Sequence, residues 1–205
     1  MASVRRIINS ILGRVHIEVE LTDSDRLRLL HISDTPSTLY PEIKRIIKVL
    51  KPDYIVHTGD IADDIKLHMH PSYLNRYKHE ARKMLRILNS SSAKELYLSL
   101  GNHDNLEFVK KHAGRIHVIE DKKLLQIDDK AFAISHYSDH LSDIEADIYL
   151  FGHDLSIESQ SIGDKVYLNG ISAIHLIDVG TLDIVKLKYP AGTDNERLKR
   201  RKTNL

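Results

Sequence analysis

Cysteine and tryptophan are absent from this 205-residue chain, proline occurs five times, and 30 basic residues almost cancel 29 acidic ones. Without cysteine there is no disulfide scaffold, thiolate zinc site, iron–sulfur cluster or cysteine nucleophile. Any metal must be held by His, carboxylate, amide or backbone atoms. Long apolar runs are missing too: Ala131 to Ser135 and Ile148 to Phe151 fall far short of the ~18 residues a membrane-spanning helix needs. The expectation is a soluble, cytoplasmic protein with no membrane partner. What the chain does have is 41% apolar residues, enough for a core, and 13 histidines.

The near-neutral charge hides an uneven distribution. Residues 190–205 carry five basic groups against Asp194 and Glu196, a net of +3, which leaves −2 for residues 1–189. This end reads as a basic, disordered tail, and it is the only part through which nucleic-acid contact is expected. At the other end, residues 1–13 place Val4, Ile7, Ile8, Ile11 and Leu12 at helical spacing before Gly13, the pattern of a short amphipathic helix. A secretory leader is not expected, because Asn9 and Ser10 interrupt the apolar stretch.

Between these ends, residues 14–189 read as one domain. Val15, Ile17, Val19 and Leu21 alternate with polar residues, which predicts a half-buried strand. A second strand over Leu27–Ile32 ends at Ser33-Asp34, and a helix over Pro41–Leu50 opens on proline. Strands follow at Tyr54–His57 and Glu95–Leu100, with helices at Tyr73–Leu88 and Asn105–His112. The second half reads as strands at Ile116–Ile119, Lys123–Ile127, Ala131–Ser135, Ile148–Phe151, Val166–Asn169, Ala173–Val179 and Leu182–Lys188. A short helix is expected around Leu141–Glu145, and the tail is the one other candidate. Strand and helix alternate early and hairpins come later, so an α/β (α+β) arrangement is expected, with one mixed sheet or two packed sheets flanked by helices.

Five predicted strand ends each deliver a metal-capable group into the following loop: Ser33-Asp34, Gly59-Asp60, Gly101-Asn102-His103-Asp104, Ser135-His136 and Gly152-His153-Asp154. Ligands in open α/β sheets bind beyond the carboxyl ends of strands, so these groups are expected to converge on one site. Taken singly, each has a bland alternative: Asp34 a turn cap, Asn102 a turn stabiliser, His136 and His153 packed core residues.

In this order, the segments His31-Ile32-Ser33-Asp34-Thr35-Pro36, Gly59-Asp60-Ile61-Ala62-Asp63, Gly101-Asn102-His103-Asp104, Ile134-Ser135-His136 and Gly152-His153-Asp154-Leu155 resemble the calcineurin-like metallophosphoesterase family. The resemblance implies a four-layer sandwich of two mixed β-sheets flanked by helices, built around divalent metal: Mn, Fe, Zn, Ni or Mg. By position, Asp34 and Asp60 would bind metal, with Asp60 bridging, and Asn102, His136 and His153 would complete the shell of one ion. His103 would act as general acid, with Asp104 orienting its ring. The implied substrate is a phosphate ester, a phosphomonoester or phosphodiester hydrolysed by metal-activated water.

Two positions depart from that pattern. Pro36 and Leu155 stand where the family has histidines for the other ion, and neither offers a donor atom. Three readings follow: a phosphoesterase with one tight metal, one that recruits Asp154, Asp63, Thr35 or water for a second, or a binding scaffold on the same fold. The other histidines invite less. His31 and His57 read as packed within strands, and Lys66 to His70 with Tyr73 and Arg76 as a surface loop open to substrate or partner contact. Asn169-Gly170-Ile171-Ser172 reads as a structural turn.

Overall fold

The computed structural model describes residues 14–22 and 25–198, so the helix expected over residues 1–13 lies outside the described residues. Strands β1 (Arg28–Ile32), β2 (Tyr54–His57), β3 (Glu95–Ser99) and β4 (Ile116–Ile119) run parallel in one sheet, which β10 (Ile174–Asp178) and β11 (Ile184–Leu187) extend antiparallel in the order β11-β10-β1-β2-β3-β4. The second sheet has the order β5-β6-β7-β9-β8. Its strands are β5 (Lys122–Ile127), β6 (Lys130–Ser135), β7 (Ile148–Phe151), β8 (Gln160–Ile162) and β9 (Lys165–Asn169), of which β6, β7 and β9 are parallel. Both sheets are thus mixed.

Period-two alternation decides which way each strand faces. On β1, Leu29 points to the space between the sheets, where Val56, Tyr97 and Ile177 meet Phe132, Ile134, Ile148, Leu150 and Leu168 of the second sheet. Its neighbours Leu30 and Ile32 point the other way and pack under helices. Those helices are α1 (Tyr40–Leu50), α2 (Leu74–Asn89) and α3 (Leu106–His112). Helix α1 starts with Pro41 in its first turn, and its buried Ile43, Ile46, Ile47 and Leu50 follow the i, i+3, i+4, i+7 spacing of one helical face. Asn105 caps α3 by accepting from the Phe108 amide at 2.9 Å. The outer face of the second sheet buries Tyr149 and Phe151 against Leu141 and Ala146.

Four expectations need correction. The alternation from Arg14 to Leu21 does not make a strand: the stretch is irregular until a 3-10 turn over Val19–Leu21. Side chains of α1 take its backbone groups instead, Glu42 accepting from the Val15 amide at 2.6 Å and Arg45 donating to the Val15 carbonyl at 2.7 Å. The helix expected at Leu141–Glu145 shrinks to a 3-10 turn over Asp139–Leu141. Strand β8 was not expected; its residues are all exposed, so no burial pattern marked it. The disordered tail does not start at residue 190, because Thr193–Leu198 form helix α4 and bury Arg197. Among the described residues no helix is long and apolar enough to cross a membrane.

Candidate metal centre

The loops after β1, β2, β3, β6 and β7 meet at one end of the sandwich and are knitted together by their backbones. The Asp34 amide donates to the Gly59 carbonyl at 2.9 Å, Thr35 to Asp60 at 3.0 Å, Asp63 to Thr35 at 3.1 Å and Gly152 to His136 at 3.1 Å. Two glycines permit this closeness. A Cβ at Gly101 would lie 2.1 Å from Asp60 Oδ1, and one at Gly152 would lie 2.0 Å from Ser33 Oγ and 2.4 Å from Asp34 Oδ2. Asp34, Asp60 and His153 themselves adopt left-handed backbone, with φ of 46°, 56° and 69°. Such conformations cost a non-glycine residue roughly 1–2 kcal/mol, and they concentrate where a site dictates where side chains point.

Asp34, Asp60, Asn102, His136 and His153 arrive together, with His103 beside them. One ligand atom each from Asp34, Asp60 and His136 lies within 4.8 Å of the others, and the same holds for Asp60, Asp63 and His103, so Asp60 belongs to both groups. His136 Nδ1 sits 2.6 Å from the Thr58 carbonyl. A carbonyl only accepts, so the proton belongs on Nδ1 and Nε2 presents its lone pair. That Nε2 faces Asn102 Oδ1 at 3.2 Å, His153 Nδ1 at 3.2 Å and Asp60 Oδ2 at 3.6 Å. An imidazole lone pair, an amide oxygen and a carboxylate oxygen thus converge on one point, an arrangement that a cation satisfies and neutral packing does not. The nitrogen and oxygen donors fit a divalent ion such as Mn, Fe, Ni or Zn.

The electrostatics agree. Burial, then the charges of Asp34, Asp104 and Asp63, push the Asp60 carboxyl well above the usual carboxylate range. Asp63 is pushed up to about 7 by burial and Asp34, against the pull of Lys66. His103 is brought down to about 4 by burial, then by Lys66 and His68, and burial together with His136 lowers His153. Carboxylates crowded this closely, beside imidazoles held neutral, are the charge pattern a bound cation relieves.

Asp104 has a different task from the one expected. Its Oδ2 accepts from the Asp60 amide at 2.8 Å and the Gly101 amide at 3.0 Å, and its Oδ1 accepts from the Ile61 amide at 3.1 Å and the Tyr77 hydroxyl at 3.0 Å. With its oxygens engaged there, Asp104 does not orient the His103 ring, whose Nδ1 is buried without a hydrogen-bond partner. It instead clamps the loop carrying Asp60 to the loop carrying Asn102 and His103. The His103 amide completes the connection by donating to Asp60 Oδ1 at 2.8 Å.

The remaining residues fall into place around this centre. His31 and His57 are fully buried, as expected, bonding Thr58 and Thr35 at 2.9 Å each. Asn169 in the expected structural turn donates to the Asp154 and Ile157 carbonyls at 2.7 Å each and so fixes the loop after His153. Two residues were not singled out from the sequence. Arg197 reaches the back of the Asp34 loop from α4, and Lys66 donates to Asp63. Arg197 lay in a run that read as a solvated end, and Lys66 in a stretch that read as surface loop.

Comparison with known proteins points the same way. Residues 27–160 match the family described as calcineurin-like phosphoesterase. Among solved structures, an archaeal phosphodiesterase is 17% identical, with a TM-score of 0.54 over 79% of this chain and 99% of its own. Yfce, a phosphoesterase from E. coli, is 13% identical, with a TM-score of 0.52 over 80% of this chain and 99% of its own. No protein of curated function matches the sequence.

Proposed function

Because this chain belongs to the calcineurin-like phosphoesterase family, we propose that it is a metal-dependent hydrolase of a phosphomonoester or phosphodiester. One observation carries the reading: Asp60, Asn102, His136 and His153 turn donor atoms toward a common point, with His103 beside them across Asp60. These four residues would hold a divalent ion, with Asp34 at its edge; Mn(II) suits the mixed oxygen and nitrogen set. Such an ion supplies Lewis acidity toward phosphoryl oxygens and acidifies water to near neutrality.

The protein's own groups do the rest. His103 stands beside the ion-binding residues with its Nδ1 buried and unpaired. Burial, then Lys66 and His68, keep its affinity for a proton low in the free site, and the negative charge of a bound phosphate ester favours its protonation. From there it donates its proton to the departing alkoxide oxygen. Asp104 keeps the Asp60 and Asn102 loops in register, and the closed backbone around Gly101 and Gly152 leaves no room for the donors to drift.

Hydrolysis of p-nitrophenyl phosphate and bis-p-nitrophenyl phosphate with Mn, Ni, Co or Mg tests the reading. Turnover with at least one metal is expected, and His103→Ala should lower kcat by about 10²–10⁴-fold while Mn(II) is retained. Absence of turnover with all four metals, or an unaffected His103→Ala enzyme, would overturn it in favour of a binding scaffold.

A further inference from the structure

Asp60 is shared by two groups of potential ligands, and the two differ in what already sits on them. In the group of Asp34, Asp60 and His136 no cationic side chain among the described residues is bonded to a ligand side chain, Arg197 reaching only the Asp34 backbone carbonyl. In the group of Asp60, Asp63 and His103 one is: Lys66 Nζ donates to Asp63 Oδ1. Asp63 is fully buried and its Oδ2 has no hydrogen-bond partner, so a carboxylate stands in the interior with Lys66 as its bonded cation. Lys66 reaches it from the mouth of the site, with its side chain 24% exposed and its backbone in the left-handed region at φ 49°. The ammonium is bonded to Asp63 while the lysine side chain as a whole stays partly exposed.

The surroundings offer little to hold a second metal ion in its stead. Pro36 and Leu155 carry no donor atoms. Thr35 Oγ1 is 2.9 Å from His57 Nε2, and Asp154 Oδ1 accepts from the Ser156 amide at 2.8 Å, so both already have partners. Charge is balanced without a second ion: a dication and one ammonium offset the carboxylates of Asp34, Asp60 and Asp63, while the backbone amides and the Tyr77 hydroxyl stabilise Asp104.

We propose that the Lys66 ammonium takes the place of a second metal ion, neutralising Asp63 and presenting its remaining N–H groups to a phosphoryl oxygen, so that the chain works with one divalent ion. This deepens the phosphoesterase reading of the same site and rests on it for the identity of the bound group. Lysine suits the task as a compact charge with three donors, able to serve a carboxylate and a phosphate oxygen together.

The test is metal content and inorganic phosphate binding, neither of which needs turnover. Wild-type protein loaded with Mn(II) and desalted should retain one ion per chain. Calorimetric titration with inorganic phosphate should show the affinity falling by about tenfold to a hundredfold in Lys66→Gln, the loss of one charge-assisted hydrogen bond, with the single Mn(II) kept. Lys66→Arg should bind phosphate within a few-fold of wild type, and thermal melts of both variants show whether the fold survives. Two retained Mn(II) per chain in the wild type, or a folded Lys66→Gln with wild-type phosphate affinity, would overturn the proposal even if esters are hydrolysed. One Mn(II) and Lys66-dependent phosphate binding without ester hydrolysis would support it and remove the catalytic reading instead.

Discussion

Arg197 Nε donates to the backbone carbonyl of Asp34 at 2.7 Å, joining the last described helix to the loop that carries a metal-capable carboxylate 163 positions earlier. The guanidinium also donates to the Ile171 carbonyl at 2.7 Å and to Asp194 at 2.9 Å, and lies over the Tyr189 ring with its carbon 4.2 Å from the centroid. Tyr189 in turn donates to the Gly170 carbonyl at 2.7 Å. Each buried carbonyl left without a donor costs about 1–3 kcal/mol. Arg197→Ala is therefore expected to lower the unfolding free energy by about 1–3 kcal/mol for each of the Asp34 and Ile171 carbonyls and to weaken Mn(II) retention as the Asp34 loop loosens. Urea denaturation with metal analysis checks both, and unchanged values would show that α4 is dispensable to the site.

Asp104 offers a sharper test because isosteric replacement separates charge from shape. Asparagine keeps one acceptor oxygen but turns an NH₂ group toward backbone amides that can only donate. Asp104→Asn should destabilise the fold by about 1–3 kcal/mol. If Asp104 is a clamp, its variants should lose Mn(II) affinity and stability together, and the pH dependence of any remaining hydrolysis should keep its shape. A changed pH profile with unchanged metal binding would instead mean that Asp104 acts through His103.

How much of this was legible beforehand depends on the distance over which each feature is encoded. Gly59-Asp60, Gly101-Asn102-His103-Asp104 and Gly152-His153 could be found because the glycine and the ligand beside it are adjacent, and backbone closeness demands both together. The parallel strands were legible as short apolar runs ending at those loops. The stretch from Arg14 to Leu21 misled because alternation describes only a capacity to pair; Glu42 and Arg45 took the Val15 backbone groups first, and Val19 ended 67% exposed. Arg197 and Lys66 were illegible for a related reason. A cation in a polar run looks solvated until the fold sets it against a carbonyl or carboxylate, and Asp34 lies far from Arg197 in sequence.

The unequal roles of the ligands can be read from metal retention. His153 contributes its side chain near His136 and its amide to Asp34 Oδ2 at 3.1 Å, whereas Asp34 is also held by the Ser33 hydroxyl at 2.5 Å. His153→Ala should abolish Mn(II) retention after desalting, and Asp34→Ala should reduce it less. Equal and complete loss in both would show two ions bound as a coupled pair. Pro36→His with Leu155→His, which adds two donors, should raise Mn(II) content above the wild-type value only when Lys66 is also replaced.

Acid stability follows from the histidines beneath the site. His175 is held down to about 3 by burial and then by Lys186, His57 to about 3 by burial, and His31 well below its ordinary value by burial, then His175 and His57. His31 and His175 stack at 5.4 Å between centroids, and neither nitrogen of His175 has a partner. A group whose pKa is depressed in the folded state stays neutral there while the unfolded chain binds its proton from about pH 6.5 downward. Stability is therefore full above pH 6.5 and falls as pH drops toward 3, at up to about 1.4 kcal/mol per pH unit for each such imidazole. Asp60 and Asp63, raised by burial, act in the opposite direction, and they are common to wild type and variant. His175→Leu removes one of these protonations and breaks no hydrogen bond, so its melting temperature should fall less than wild type's between pH 7 and about pH 4.5. Parallel declines in the two proteins would mean that His175 is already solvated and charged in the folded state.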